Sequence, residues 1–258
     1  MYHSGPTLRL AGLALLGCLA GALTAAPAMA KLAEHTRLTL PHVAQRLARA
    51  APLRIVAFGS SSTEGVGASS AAATYPNRLK AWLQGRLQER VDVVNAGIGG
   101  EDADDMMIRL ARDVVPAKPD LVIWQTGTND PLRKLPLDRF IAETRAGILQ
   151  MRMAGIDVVL MEPQDCRMMR ATPGAFAYLD AVRQIGADLR VPVVRRYDMI
   201  HRWLADGTVT ETQLMAPDGL HMADEGYARL AAEVARELVD AAKPQPKAPA
   251  TMVKTASK

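Results

Sequence analysis

Short apolar runs rich in β-branched residues alternate with segments of helical period along most of this chain, and that alternation restricts the fold more than any other feature. Leu53–Phe58, Val91–Val94, Leu121–Trp124, Ile156–Leu160 and Val191–Val194 have the length and apolar continuity of strands. Between them, Tyr75–Leu87 spaces Leu79, Trp82, Leu83 and Leu87 along one helical face. Asp104–Val115 does the same with Met107, Ile108, Ala111, Val114 and Val115, and Asp138–Met153 with Phe140, Ile141, Ile148 and Leu149. Ala175–Leu189 reads as another helix, and Asp224–Ala242 as a closing helix whose inner face is Tyr227, Leu230, Ala231, Val234 and Leu238. Strands linked through helices predict an α/β domain, with a parallel sheet covered on both faces. Pro192 has no N–H to give a ladder, so the fifth strand belongs at an edge or starts there. Residues 31–50 read as a helical lead-in.

The two ends of the chain fall outside this pattern. Arg9, the apolar stretch Leu10–Leu23 and the small residues of Ala28-Met29-Ala30 predict a signal peptide over 1–30, cut after Ala30. The apolar run is shorter than the roughly 20 residues a membrane span needs, and Pro27 follows it. A competing reading makes Cys18 of Leu15-Leu16-Gly17-Cys18 a lipidation site, with Leu16 an unusual neighbour for one. Residues 243–258, rich in Pro, Lys and Ala, have the composition of a disordered tail. The domain is therefore placed at 31–242, and the expected location is periplasmic or secreted.

Cysteine and charge narrow the classes further. Once Cys18 leaves with the signal, Cys166 stands alone and no intrachain disulfide can form. It reads as a small packed residue, with a nucleophilic role as the alternative. The formal charge of +4 resides at the ends, since residues 31–242 hold 26 Lys and Arg against 27 Asp and Glu. With no basic stripe and no interleaved aromatics, the body excludes a nucleic-acid partner.

Ligands of open parallel sheets bind beyond the carboxyl ends of the strands. Four motif-bearing loops fall there. Gly59-Ser60-Ser61-Ser62-Thr63 follows the first strand and can present a hydroxyl to a cleft, cap a helix or cradle an anion. Asn95-Ala96-Gly97-Ile98-Gly99-Gly100 follows the second and reads as a turn that admits close backbone approach. Gly127-Thr128-Asn129-Asp130 follows the third; its carboxamide can cap the loop or donate to an oxyanion. Asp218-Gly219-Leu220-His221 precedes the last helix and sets a base three residues from a carboxylate able to orient it.

Taken together and in this order, the four loops resemble the SGNH hydrolases, also called GDSL-type lipases and esterases. The resemblance spans the chain from the first strand to the last helix. It implies a three-layer α/β/α sandwich, with five parallel strands in the flavodoxin-like order 2-1-3-4-5. It also implies Ser61 as nucleophile, with Asp218 and His221 as acid and base. The oxyanion donors would be the backbone N–H groups of Ser61 and Gly100 and the side chain of Asn129. One departure is plain: where the family has Gly-Asp-Ser, this chain has Gly59-Ser60-Ser61, and Ser60 and Ser62 flank the assigned serine.

The function so implied is hydrolysis of a small-molecule, glycan or lipid ester through an acyl-serine, with no metal or cofactor. An acyltransferase using the same triad, a flavin- or phosphate-binding module and a non-catalytic envelope or carbohydrate-binding protein are the rivals. The acidic run Glu101-Asp102-Ala103-Asp104-Asp105 fits a helix N-terminus better than a calcium site. Residues 163–178, with Cys166-Arg167-Met168-Met169-Arg170, read as a substrate-side flap or as core packing.

Overall fold

A computed structural model describes residues 40–87 and 91–241. The predicted signal peptide, Cys18 and the predicted tail at 243–258 lie outside the described residues.

Five strands form one parallel sheet in the order β2-β1-β3-β4-β5. They are β1 (Leu53–Gly59), β2 (Val91–Gly97), β3 (Leu121–Gln125), β4 (Asp157–Met161) and β5 (Val193–Val194). The register sets Ile55 against Val93 on one side and Leu121 on the other, and Leu121 against Asp157. Alternate strand residues enter opposite layers, as the period of two requires. Ile55, Ala57, Leu121, Ile123, Val159 and Met161 join one core, while Val56, Phe58, Val122, Trp124, Val158 and Leu160 join the other.

Four helices cover the first layer: α1 (Pro41–Ala48), α3 (Tyr75–Leu87), α9 (Arg196–Ala205) and α11 (Asp224–Ala241). The second layer is covered by α4 (Ala103–Arg109), α6 (Leu137–Met153) and α8 (Ala175–Leu189). Short helices occupy the connections: α2 (Ser61–Glu64), α5 (Asn129–Leu132), α7 (Arg167–Ala171) and α10 (Glu211–Leu214). The predicted face of α11 is buried as expected, from Tyr227 through Leu238. Burying a Leu, Val or Tyr of this kind stabilises by about 1.5–3 kcal/mol before ordering costs are set against it. The lead-in is docked by Asp157, whose Oδ2 accepts from the His42 and Val43 N–H groups at the uncapped start of α1 (2.8 and 3.0 Å).

Three sequence expectations need correction. The inner face of α4 is Ala103, Met106, Leu110 and Val114, while Ile108 is 72% exposed. The helix passes into a π turn over Leu110–Val114, and of two apolar stripes that both have helical spacing the sheet selects the one that begins at Ala103. On α6 the buried set is Phe140, Thr144, Gly147, Ile148 and Met151, and Leu149 faces out. The loop after β1 is helical from Ser61, and α9, unforeseen, buries Met199, Ile200 and Trp203. β5 is an edge strand of two residues beginning after Pro192.

Candidate active site

β1 ends on Gly59, and Ser60 turns the chain into α2. The three serines then diverge. Ser60 points inward, its N–H and hydroxyl both donating to Gln125 Oε1 at the end of β3 (3.0 and 3.1 Å). The Ser62 hydroxyl also points inward and donates to Gln164 Oε1 (3.4 Å). Both are 2% exposed. Ser61 heads the helix with its Oγ 2.8 Å from His221 Nε2.

His221 sits in a tight hairpin closed by the bridge Met215↔Met222 and by the Ala216 N–H donating to the His221 carbonyl (2.8 Å). Gly219 takes the left-handed turn position, at φ +70°. Asp218 Oδ1 accepts from the Leu220 and His221 N–H groups, both at 2.9 Å, and Oδ2 lies 2.6 Å from His221 Nδ1. Burial works against the Asp218 charge, but bonds from the His221 ring, the His221 N–H and the Leu220 N–H outweigh it and hold the carboxyl at about 2. With its folded pKa depressed, the group keeps its stabilising contacts at higher pH and loses them as pH falls toward about 2. An ionised Asp218 only accepts, so Nδ1 carries the ring proton. Nε2 is then left as acceptor for the Ser61 hydroxyl.

The nucleophile loop and the histidine hairpin pack backbone to backbone. A Cβ on Gly67, at φ +91°, would lie 2.4 Å from the Met222 carbonyl oxygen and 3.2 Å from His221 Cβ, so only glycine fits there. α11 secures the same loop: Tyr227 Oη donates to the Val66 carbonyl (2.6 Å), and Asp224 Oδ1 accepts from the Ser69 N–H (2.8 Å).

Gly99 abuts Ser61, since a Cβ there would stand 3.7 Å from Ser61 Cβ. Gly100 follows at φ +81°. Asn129 Nδ2 donates one hydrogen to the Glu101 carbonyl (2.8 Å), and among the described residues its second has no acceptor. Among the described residues, neither the Ser61 N–H nor the Gly100 N–H has a protein acceptor. The structure thus gathers all five predicted residues, Ser61, Gly100, Asn129, Asp218 and His221, at the carboxyl end of the sheet.

Several supporting residues escaped the sequence reading. Asp130 is 1% exposed and accepts from the Ala103 N–H (2.8 Å) and the Gly127 N–H (3.0 Å), tying the loops after β2 and β3 together. Burial pushes its carboxyl up to about 6 despite those two donors. Arg109, buried at the end of α4, pairs with Glu101 and donates to the Ala96 carbonyl (3.2 Å). Gln125 was visible as the polar end of an otherwise apolar strand, and Gln164 as part of a polar cluster directly after β4. The acidic run is occupied by cations: Glu101 by Arg109, Asp102 and Asp105 by Arg133, and Asp104 by Arg139. Asp102 also caps α4. In the 163–178 segment, α7 packs on the histidine hairpin through the Met168 N–H and the Gly219 carbonyl (3.3 Å). Cys166 is buried, burial raises its thiol pKa, and its Sγ caps α7.

A small hollow lined by Gly127, Thr128, Leu132, Met169, Ala175 and Leu220 lies beside the site, with a volume of about 10 Å³. Larger clefts of about 550 Å³ open where β1 begins, around Arg54 and Lys80, at the far end of the strands. No helix among the described residues is long and apolar enough to cross a membrane.

Comparison with known proteins adds three kinds of match. Residues 25–244 match the non-GDSL lipase-like family. Among curated proteins, the chain is 28% identical over 209 residues to the uncharacterized lipoprotein YqeF of Bacillus subtilis, covering 67% of this chain and 84% of the relative. It is 27% identical over 152 residues to an arylesterase of Vibrio mimicus, covering 58% and 70%. Among solved structures, a variant of an acetyl-xylooligosaccharide esterase from Geobacillus stearothermophilus superposes with a TM-score of 0.61. Identity to it is 26%, over 72% of this chain and 94% of that one.

Proposed function

The chain belongs to the non-GDSL lipase-like family, and from that premise we propose that it is a serine esterase cleaving acetyl and other short acyl esters through an acyl-serine. The observation that carries this reading is the relay Asp218–His221–Ser61, with links of 2.6 and 2.8 Å. Nε2 of His221 takes the Ser61 proton as Oγ attacks the acyl carbonyl, and Asp218 steadies the imidazolium that forms. The oxyanion is received by the Ser61 and Gly100 N–H groups and the free hydrogen of Asn129. His221 then returns the proton to the departing alkoxide. Water, with its proton taken by His221, attacks the acyl-serine, and His221 passes that proton to Ser61 Oγ as the acyl–oxygen bond breaks and the acid leaves.

A short acyl group is supported by the names of two relatives, an arylesterase and an acetyl-xylooligosaccharide esterase. We place the substrate among acetylated glycans and small esters outside the cytoplasm, reached through the signal peptide at 1–30. That location is in keeping with a relative named as a lipoprotein.

The test is hydrolysis of p-nitrophenyl esters by the purified chain. Acetate should be turned over faster than octanoate. Ser61→Ala should lower kcat by at least roughly 10³-fold with the melting temperature unchanged. Survival of activity in Ser61→Ala, together with its loss in Ser60→Ala or Ser62→Ala, would sink the assignment. An added polyol that captures the acyl group in preference to water would move the reading to a transferase.

A further inference from the structure

The imidazole of His221 is aimed by a peptide plane as well as by a carboxylate. The peptide joining Leu220 to His221 is held at both ends. Its N–H donates to Asp218 Oδ1 (2.9 Å), and its carbonyl accepts from Gln164 Nε2 (2.7 Å). Gln164 follows β4 and is 1% exposed. The carbonyl partner fixes which end of the carboxamide is nitrogen, since a carbonyl oxygen can only accept. Gln164 Oε1 is therefore turned the other way, where the Ser62 hydroxyl reaches it (3.4 Å). One buried side chain so bridges the hairpin that carries His221 and the helix that carries Ser61. A carboxamide is the group that serves both ends, because one end donates and the other accepts.

We propose that Gln164 is a positioning residue for the Ser61–His221 pair, holding the imidazole in line with the hydroxyl. This rests on the esterase reading above. Without the carboxamide, the Leu220 carbonyl loses a half-buried hydrogen bond and the Ser62 hydroxyl a buried one, and the hairpin can rock about Gly219, which sits at φ +70°. A small displacement of reacting groups is costly to turnover and leaves ground-state binding alone.

Gln164→Met keeps length and volume while removing both hydrogen bonds. On p-nitrophenyl acetate it should lower kcat about 10- to 100-fold with KM unchanged within about twofold. Ser62→Ala, which breaks only the weaker arm, should cost less, and the double variant should be no worse than Gln164→Met alone. A merely structural role would lower the melting temperature and leave kcat of the folded fraction intact. If Gln164→Met does not fold, NMR of the wild-type chain carries the test. The Gln164 side-chain amide protons should be slow to exchange and should couple through the hydrogen bond to the Leu220 carbonyl carbon. Wild-type kcat in a folded Gln164→Met, or fast exchange without coupling in the native protein, overturns the proposal. In either case loss of activity in Ser61→Ala leaves the esterase reading standing. Full activity in Ser61→Ala would overturn that reading and this one together.

Discussion

Ser60, Ser61 and Ser62 are chemically alike, and the direction of each hydroxyl separates them. A carboxamide oxygen of Gln125 claims Ser60, one of Gln164 claims Ser62, and His221 faces Ser61. Ser60 stands where the pattern of the resemblance has an aspartate, and its hydroxyl binds inward to Gln125, apart from the Ser61–His221 contact. In the proposed mechanism Asn129 donates to the oxyanion. Asn129→Ala should lower kcat about 10²–10³-fold, roughly 3–4 kcal/mol, with a small change in KM, measured by steady-state kinetics on p-nitrophenyl acetate. An equal rise in KM at constant kcat would instead make Asn129 a substrate-binding group. In the proposed site the Asp218–His221 pair was legible because the two lie three apart on one turn, whereas the roles of Ser61, Gly100 and Asn129 came only from the family resemblance. Asp130 and Gln164 were illegible as bridges, since the contacts that reach Ala103 and Leu220 span 27 and 56 residues and no local pattern encodes them.

At the scale of elements, β2 and α2 touch so closely that their contact admits no side chain. A Cβ on Gly97 would lie 2.0 Å from the Glu64 backbone nitrogen and 2.5 Å from the Thr63 carbonyl carbon. Gly97→Ala should therefore displace α2, cost about 1–3 kcal/mol in chemical denaturation and lower kcat, because α2 carries Ser61. Gly85, on α3, has nothing within 4 Å of its added Cβ. Gly85→Ala should stabilise by about 0.4–1 kcal/mol with kcat unchanged. The reverse order of the two variants would mean that α2 is not seated on β2. Strands and long helices were readable from their periods, and α3 and α8 fall on the predicted residues. The stripe of α4 was not, because two apolar stripes at helical spacing compete there and the period alone does not choose between them. α9 was missed although Met199, Ile200 and Trp203 have helical spacing, because its charged start Arg195-Arg196-Tyr197-Asp198 resembles a loop.

At the scale of the molecule, parallel order is what makes a site from distant segments. β1 lies inside the sheet between β2 and β3, so its carboxyl end meets the loops after both. The last helix then returns the chain against the first loop, bringing Asp218 and His221 to a serine 160 residues earlier. Alternation in the sequence announced that architecture, whereas strand order came only from the family resemblance. The proposed export is a property of the whole chain too. Mass spectrometry of the protein recovered from the envelope or medium should show Lys31 as its first residue, and a diacylated Cys18 would replace that account with a lipid anchor. The central claim is that Ser61 forms the covalent bond, and the most direct measurement is peptide mapping after reaction with an organophosphate ester. The account predicts one adduct, on Ser61, absent from His221→Ala and competed by p-nitrophenyl acetate. An adduct on Ser60 or Ser62, or ester hydrolysis that continues with no serine labelled, would contradict it.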